Sequence, residues 1–193
     1  LLGALGQFKG KPAGLLISEI VARELISHLA KKAADTKSLV ERAIRDAEEY
    51  LNICWSDIES LTSFLDSVKN ADDVAKDRFA NFVDKTGATL VSVDGLLDVK
   101  DLIKKYFNGL APFAITGKKK SEFPDAMILM TLEAYAKKNN IKILAVSADS
   151  DWEAYASESE WIFIEPDLGK AIAEFQPQNK SFELCEVLSE EFS

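Results

Sequence analysis

The residues in this chain best suited to chemistry are carboxylates at the ends of apolar runs. Asp149 and Asp151 stand one residue apart in "SADSDW", after the apolar run of residues 141–146, with Ser147 before them and Trp152 beside them. Asp125 follows Pro124 in "EFPDA", and Glu24 lies six residues past the short apolar run "LLIS". Each acid has an ordinary structural role open to it. Asp and Ser favour strand exits and cap the next helix. An acid in the first turn of a helix gains roughly 0.3–1 kcal/mol from the dipole, and Glu24 can pair with His28 one turn further on. As a set they suggest more. Open α/β sheets hold their ligands at the carboxyl ends of strands, and carboxylates gathered there repel one another unless a cation sits among them. Magnesium or manganese needs several such hard oxygen ligands. A metal so held lowers the pKa of a bound water and stabilises charge on a phosphate, which is the chemistry of phosphodiester hydrolysis.

The rest of the composition narrows the alternatives. His28 is the single histidine, so zinc or triad chemistry built on histidine is disfavoured. Cys54 and Cys185 are the two cysteines and lie far apart, which fits neither a disulfide framework nor a zinc site and points to a reduced, cytoplasmic compartment. No apolar run reaches the roughly 18 residues of a membrane span. A net charge of −9 argues against coating nucleic acid by bulk attraction. It leaves room for an enzyme whose cation bridges carboxylates to phosphate. The charge is uneven: Lys118, Lys119 and Lys120 form a basic block just ahead of Asp125, while residues 183–193 are acidic. A lysine run is either a solvated loop or a grip on a nucleic-acid backbone.

The elements that must position these acids follow from periodicity. Residues 15–18 read as a strand and 19–33 as a helix with Val21, Ala22, Leu25, Ile26 and Leu29 on one face. Residues 36–68 keep helical spacing throughout, with a break near Ser56 and Asp57. A helix over 71–85 stops at Gly87, a strand covers 89–93, and a helix in "DVKDLIKKYFNG" ends at Gly109. Pro124 opens a helix that ends at Asn139 and Asn140. A strand over 141–146, a short helix around 152–156, a strand over 161–165 and a helix over 167–175 complete the series. Strands separated by helices mean an α/β fold: a three-layer sandwich around a central, mostly parallel sheet. The tail, 177–193, has the spacing of one more helix.

The segments "LLISEIVARELISHL" and "EFPDAMILMTLEAYAKKNNIKILAVSADSDW" resemble the PIN-domain nucleases. The resemblance covers about residues 15–175 and is nearest to a larger subgroup with a long helical insertion, here about 36–85. It implies a nuclease domain over 1–176 followed by the acidic tail. It also implies Asp125 and Asp149 as metal ligands, Glu24 as a ligand directly or through water, and Asp151 as a ligand or its neighbour. Ser147 would hydrogen-bond a carboxylate or the attacking water. Lys118, Lys119 and Lys120 would hold the substrate. The cofactor would be Mg2+ or Mn2+ and the substrate single-stranded RNA. A toxin with its antitoxin, or a defence nuclease, is the implied setting, with a homodimer or another protein partner allowed.

Domains of this kind begin with a strand that ends in Asp, and "LLGALGQFKGKPAG" contains no acid and no strand pattern. Residues 1–8 read instead as the first helix. Since buried strand edges need their N–H and C=O groups paired, the expectation is a natural chain extending upstream of Leu1. Its added strand would end in Asp and run between "LLIS" and "IKILAVS". Two other readings stand beside the nuclease. One is a non-catalytic scaffold of the same fold that binds RNA or protein. The other is a Rossmann-like phosphotransfer domain, which the absence of a Gly-rich phosphate loop disfavours.

Overall fold

The computed structural model describes residues 2–10, 13–51, 55–113 and 123–175. The basic block at Lys118, Lys119 and Lys120, and the tail over 177–193, lie outside the described residues. The chain divides into two compact units, one made of 1–20 with 86–193, the other of 21–85.

The first unit is built around one helix. It opens with a 3-10 helix, Leu2–Phe8, and the strand β1, Leu16–Ser18, which leads into α1, Glu19–Tyr50. After the helical unit come β2 (Thr89–Val91), α4 (Val99–Asn108), α5 (Phe123–Asn139), β3 (Ile143–Val146), α6 (Ser150–Ser157), β4 (Ile162–Glu165) and α7 (Leu168–Glu174). In α5, Ala126, Ile128, Leu129, Met130, Thr131, Leu132 and Ala136 are all buried. Those positions wrap the whole circumference, which is the signature of a helix enclosed on every side rather than one lying on a surface. It packs against β1, β2, β4, α4 and α6. Tyr106, Phe113 and Phe123 close one end of this core with ring centroids 4.8–5.4 Å apart.

Turn chemistry sets the boundaries. Asp98 caps α4 by accepting from the N–H groups of Lys100 and Asp101, and Gly109 ends it in the left-handed region at φ 59°. Asn140, at φ 52°, does the same for α5, and the N–H of Ile141 reaches back to the carbonyl of Ala136. These are the stops expected from "FNG" and from Asn139 and Asn140.

All strand pairing is parallel, as expected for strands joined through helices. Leu16 pairs with Thr89 and Ser18 with Val91, while Ile143 pairs with Ile162 and Val146 with Glu165. The strands form two ladders, β1–β2 and β3–β4, in place of the single sheet expected. The α/β class is as expected. No described strand joins the two ladders.

The second unit is helical: the remainder of α1, then α2 (Trp55–Ser67) and α3 (Ala71–Thr86), with Ala30, Ile58, Ala75 and Phe79 among its buried side chains. It corrects two expected boundaries. The helix expected to stop at residue 33 continues to Tyr50, 32 residues from Glu19, and the later break falls before Trp55 rather than at Ser56 and Asp57. "AKKAADTKS" has no Gly or Pro to stop a helix, and Thr36 satisfies its hydroxyl inside the helix by donating to the Lys32 carbonyl at 2.7 Å.

Glu133 staples α5 to α6 and to the segment that follows it. Its two carboxylate oxygens accept from the Tyr155 hydroxyl and the Ser159 hydroxyl, each at 2.8 Å, and Lys137 stands 3.3 Å away. Burial opposes the charge on Glu133, but these hydrogen bonds and the Lys137 ammonium outweigh it and hold the carboxyl below the ordinary glutamate value. Burial and the same carboxylate push the Tyr155 phenol well above its usual range. A depressed carboxyl contributes stability above its unfolded pKa of about 4.3, lost as pH falls through the folded value. Glu133→Ala should therefore cost about 2 kcal/mol at neutral pH, the scale of a hydrogen bond to a charged group. In urea titrations the gap between wild type and variant should close below about pH 4; a gap that is constant with pH would show that the charge contributes nothing.

Candidate functional site

Asp149 ends the loop after β3. Ser147 Oγ accepts from the Asp149 N–H at 3.2 Å, and Asp149 Oδ1 accepts from the Asp151 N–H at 2.8 Å. These two linked turns make Asp149 the N-cap of α6, in extended backbone with φ −82° and ψ 127°. The ordinary role open to Asp149 is thus one it performs. Capping uses one carboxylate oxygen; among the described residues Oδ2 carries no hydrogen bond. Asp151, half-buried, lies in the first turn of α6 beside Trp152.

Asp125 lies in the first turn of α5, half-buried. Trp152 joins it to α6: the indole Nε1–H donates to Asp125 Oδ1 at 2.9 Å. The indole also packs against the buried core cluster, so the bond is held by a ring that cannot easily turn away. Oδ2 of Asp125 has no hydrogen bond among the described residues. Asp125 and the first turn of α6, with Asp149 and Asp151, are therefore brought together by one side chain that the sequence reading did not place in the site. "SADSDW" contained the signal: a Trp buried beside polar residues needs an acceptor for its N–H.

Glu24 is exposed, in the second turn of α1 and within the helical unit. His28, one turn further on, is exposed as well. The other ladder carries polar groups of its own that the sequence reading passed over. Ser92, just after β2, donates to Glu19 Oε2 at 2.8 Å and accepts from the Asp94 N–H at 3.2 Å. Glu19 follows β1 directly and Ser92 follows β2, so this bond ties together the exits of two parallel strands.

The donors at Asp125, Asp149 and Asp151 are hard oxygens, the type that suits magnesium or manganese. Asp125 and Asp149 each combine one hydrogen-bonded oxygen with one that makes no hydrogen bond among the described residues. Among the described residues, no three acid, histidine or cysteine side chains stand close enough together to hold a metal ion. No helix among them is long and apolar enough to cross a membrane.

A family model described as PIN domain matches residues 1–152, which takes in β1, the helical unit and the stretch from Asp125 to Trp152. No curated protein and no solved structure matches the chain.

The Trp152–Asp125 bond should be measurable by a double-mutant cycle. Trp152→Phe retains the buried ring and loses the donor; Asp125→Ala removes the acceptor. The coupling between them in thermal or urea unfolding should be about 1 kcal/mol. Additive losses would mean that the bond contributes nothing to holding α6 against α5.

Proposed function

The chain belongs to the PIN-domain family, a family of nuclease type, and on that premise we propose that it is a magnesium- or manganese-dependent ribonuclease. The reading rests above all on the Trp152–Asp125 hydrogen bond, which draws the start of α5 and the start of α6 together. Asp125 is thereby tied to the helix whose start carries Asp149 and Asp151.

In this reading Asp125, Asp149 and Asp151 hold the cation, which when bound supplies a water of lowered pKa and offsets charge on the phosphate. The chain's own side chains do the positioning. Trp152 fixes Asp125 through Oδ1, and the α6 backbone fixes Asp149 through its Oδ1. Ser147 accepts from the Asp149 N–H, so its own proton is available for a carboxylate or for the attacking water. Glu24 keeps its assignment as a ligand, direct or through water, on the family resemblance alone. Lys118, Lys119 and Lys120 are assigned to the RNA backbone on the same ground. Single-stranded RNA is the substrate, and a toxin–antitoxin pair or a defence system is the setting.

A second reading, a non-catalytic scaffold that binds RNA or protein, is favoured by one observation. No group of three potential ligands closes on a metal point among the described residues. A manganese titration separates the two readings, because the nuclease must bind the ion at its acids and the scaffold need not.

Asp125→Asn and Asp149→Asn should each abolish manganese-dependent cleavage of single-stranded RNA. Removing a partner that merely orients a metal ligand costs about 10–100-fold, so the loss on removing a ligand should exceed about 100-fold. Both variants should fold, since asparagine still accepts from Trp152 and still caps α6, and removing a charge from neighbouring acids relieves repulsion. Cleavage by either variant at the wild-type rate would move the chemistry to another site.

A further inference from the structure

The helical unit contains a groove of about 680 Å3 between the first half of α1 and the start of α3. On α1 it is lined by one continuous face that includes Arg23, Ser27 and Lys31, and on α3 by Asp72 and Lys76. Its apolar lining is Ile26 with the small side chains Ala30, Ala34 and Ala71, of which Ala30 is buried and Ile26 and Ala71 half-buried. That is how two helices come close while leaving an open channel above them.

The charge in this groove runs against its surroundings. Between Val21 and Lys85 there are ten basic and thirteen acidic side chains, yet among the described residues three cations and one carboxylate line the groove. The neighbouring acids of α3 are engaged elsewhere: Asp77 pairs with Lys69 and Asp73 accepts from Asn70. Among the described residues Lys31 and Lys76 make no ion pair, and both are exposed. Arg23 and Lys31 are eight residues apart on one helix, about 12 Å along its axis. A single phosphate cannot bridge that distance; a chain of phosphates can. Among the described residues no aromatic side chain lines the groove, so they offer no platform on which a base could stack. Such a surface grips backbone and carries no sequence information.

We propose that this groove is a backbone-binding site for single-stranded RNA, in which Lys31 and Lys76 contact phosphates and Ser27 offers a hydroxyl between the cations. The proposal rests on the nuclease reading for the identity of the polyanion. It adds a second point of attachment that raises the local concentration of substrate without taking part in cleavage.

The test uses the full 193-residue chain and a fluorescein-labelled oligouridylate in EDTA, where binding is read by anisotropy without cleavage. Lys31→Ala with Lys76→Ala should weaken binding by about 10-fold at moderate salt. It should also flatten log K against log salt by about 1.4, two contacts at about 0.7 each for a single strand. Arg45→Glu, on the same helix and outside the groove, should leave both unchanged. With manganese present, the double variant should raise KM. Unaltered affinity and slope in the double variant would overturn the groove, even if wild type cleaves RNA. Displacement of the RNA by polyglutamate at equal charge would also overturn it, in favour of an acidic protein partner. Groove-dependent binding by wild type with no cleavage in manganese would instead leave the groove standing and overturn the nuclease reading.

Discussion

One helix constrains everything in the larger unit. Because α5 is apolar around its whole circumference, it touches β1, β2, β4, α4 and α6 at once, and no small rotation of it is free of packing cost. Asp125 at its first turn is thus placed by the core itself rather than by a surface loop. The other acids are referred to α5 through α6, which is tied to it twice: Trp152 to Asp125 and Tyr155 to Glu133. The partners are three residues apart on α6 and eight apart on α5. Two bonds so differently spaced resist sliding and rotation together, which a single bond would not do.

Polar groups around this frame perform local work first. Ser147, Asp149 and Asp167 hold turns and caps, and Ser92 links the ends of β1 and β2 through Glu19. A carboxylate has two oxygens, and at Asp125 and Asp149 structural duty occupies one of them. The same residues therefore serve the fold through one oxygen and leave the other without a hydrogen bond among the described residues.

Much of this was legible in the sequence, for local reasons. Gly109, Asn140 and Asp98 announce helix ends through their own backbone preferences, and the acids at strand exits follow from alternation of apolar runs with turn residues. The matched family was legible from "EFPDA" and "VSADSDW". What failed depends on contacts at long range. Nothing within 36–55 distinguishes one helix break from another, so the true ends of α1 and α2 were missed. The division of the strands into two ladders is a question of which strands meet. Trp152 was read as the edge of a motif because its partner, Asp125, lies 27 residues away. The groove on α1 was missed because Lys76 joins it from a different helix.

The length of α1 has a consequence for how the molecule comes apart. At 1.5 Å per residue its 32 residues extend about 48 Å, but its buried side chains are Ala22 and Ala30, both in the first half. Leu39 and Tyr50 beyond them are 67% and 74% exposed. Beyond Ala30 the side chains of α1 are at most half-buried, so its outer half depends more on propagation than on packing. Protection of its amides against exchange with solvent should fall along the helix, high near Ala22 and low near Tyr50. The groove at Arg23 and Lys31 therefore occupies the durable half of α1, and the outer half can open without disturbing it.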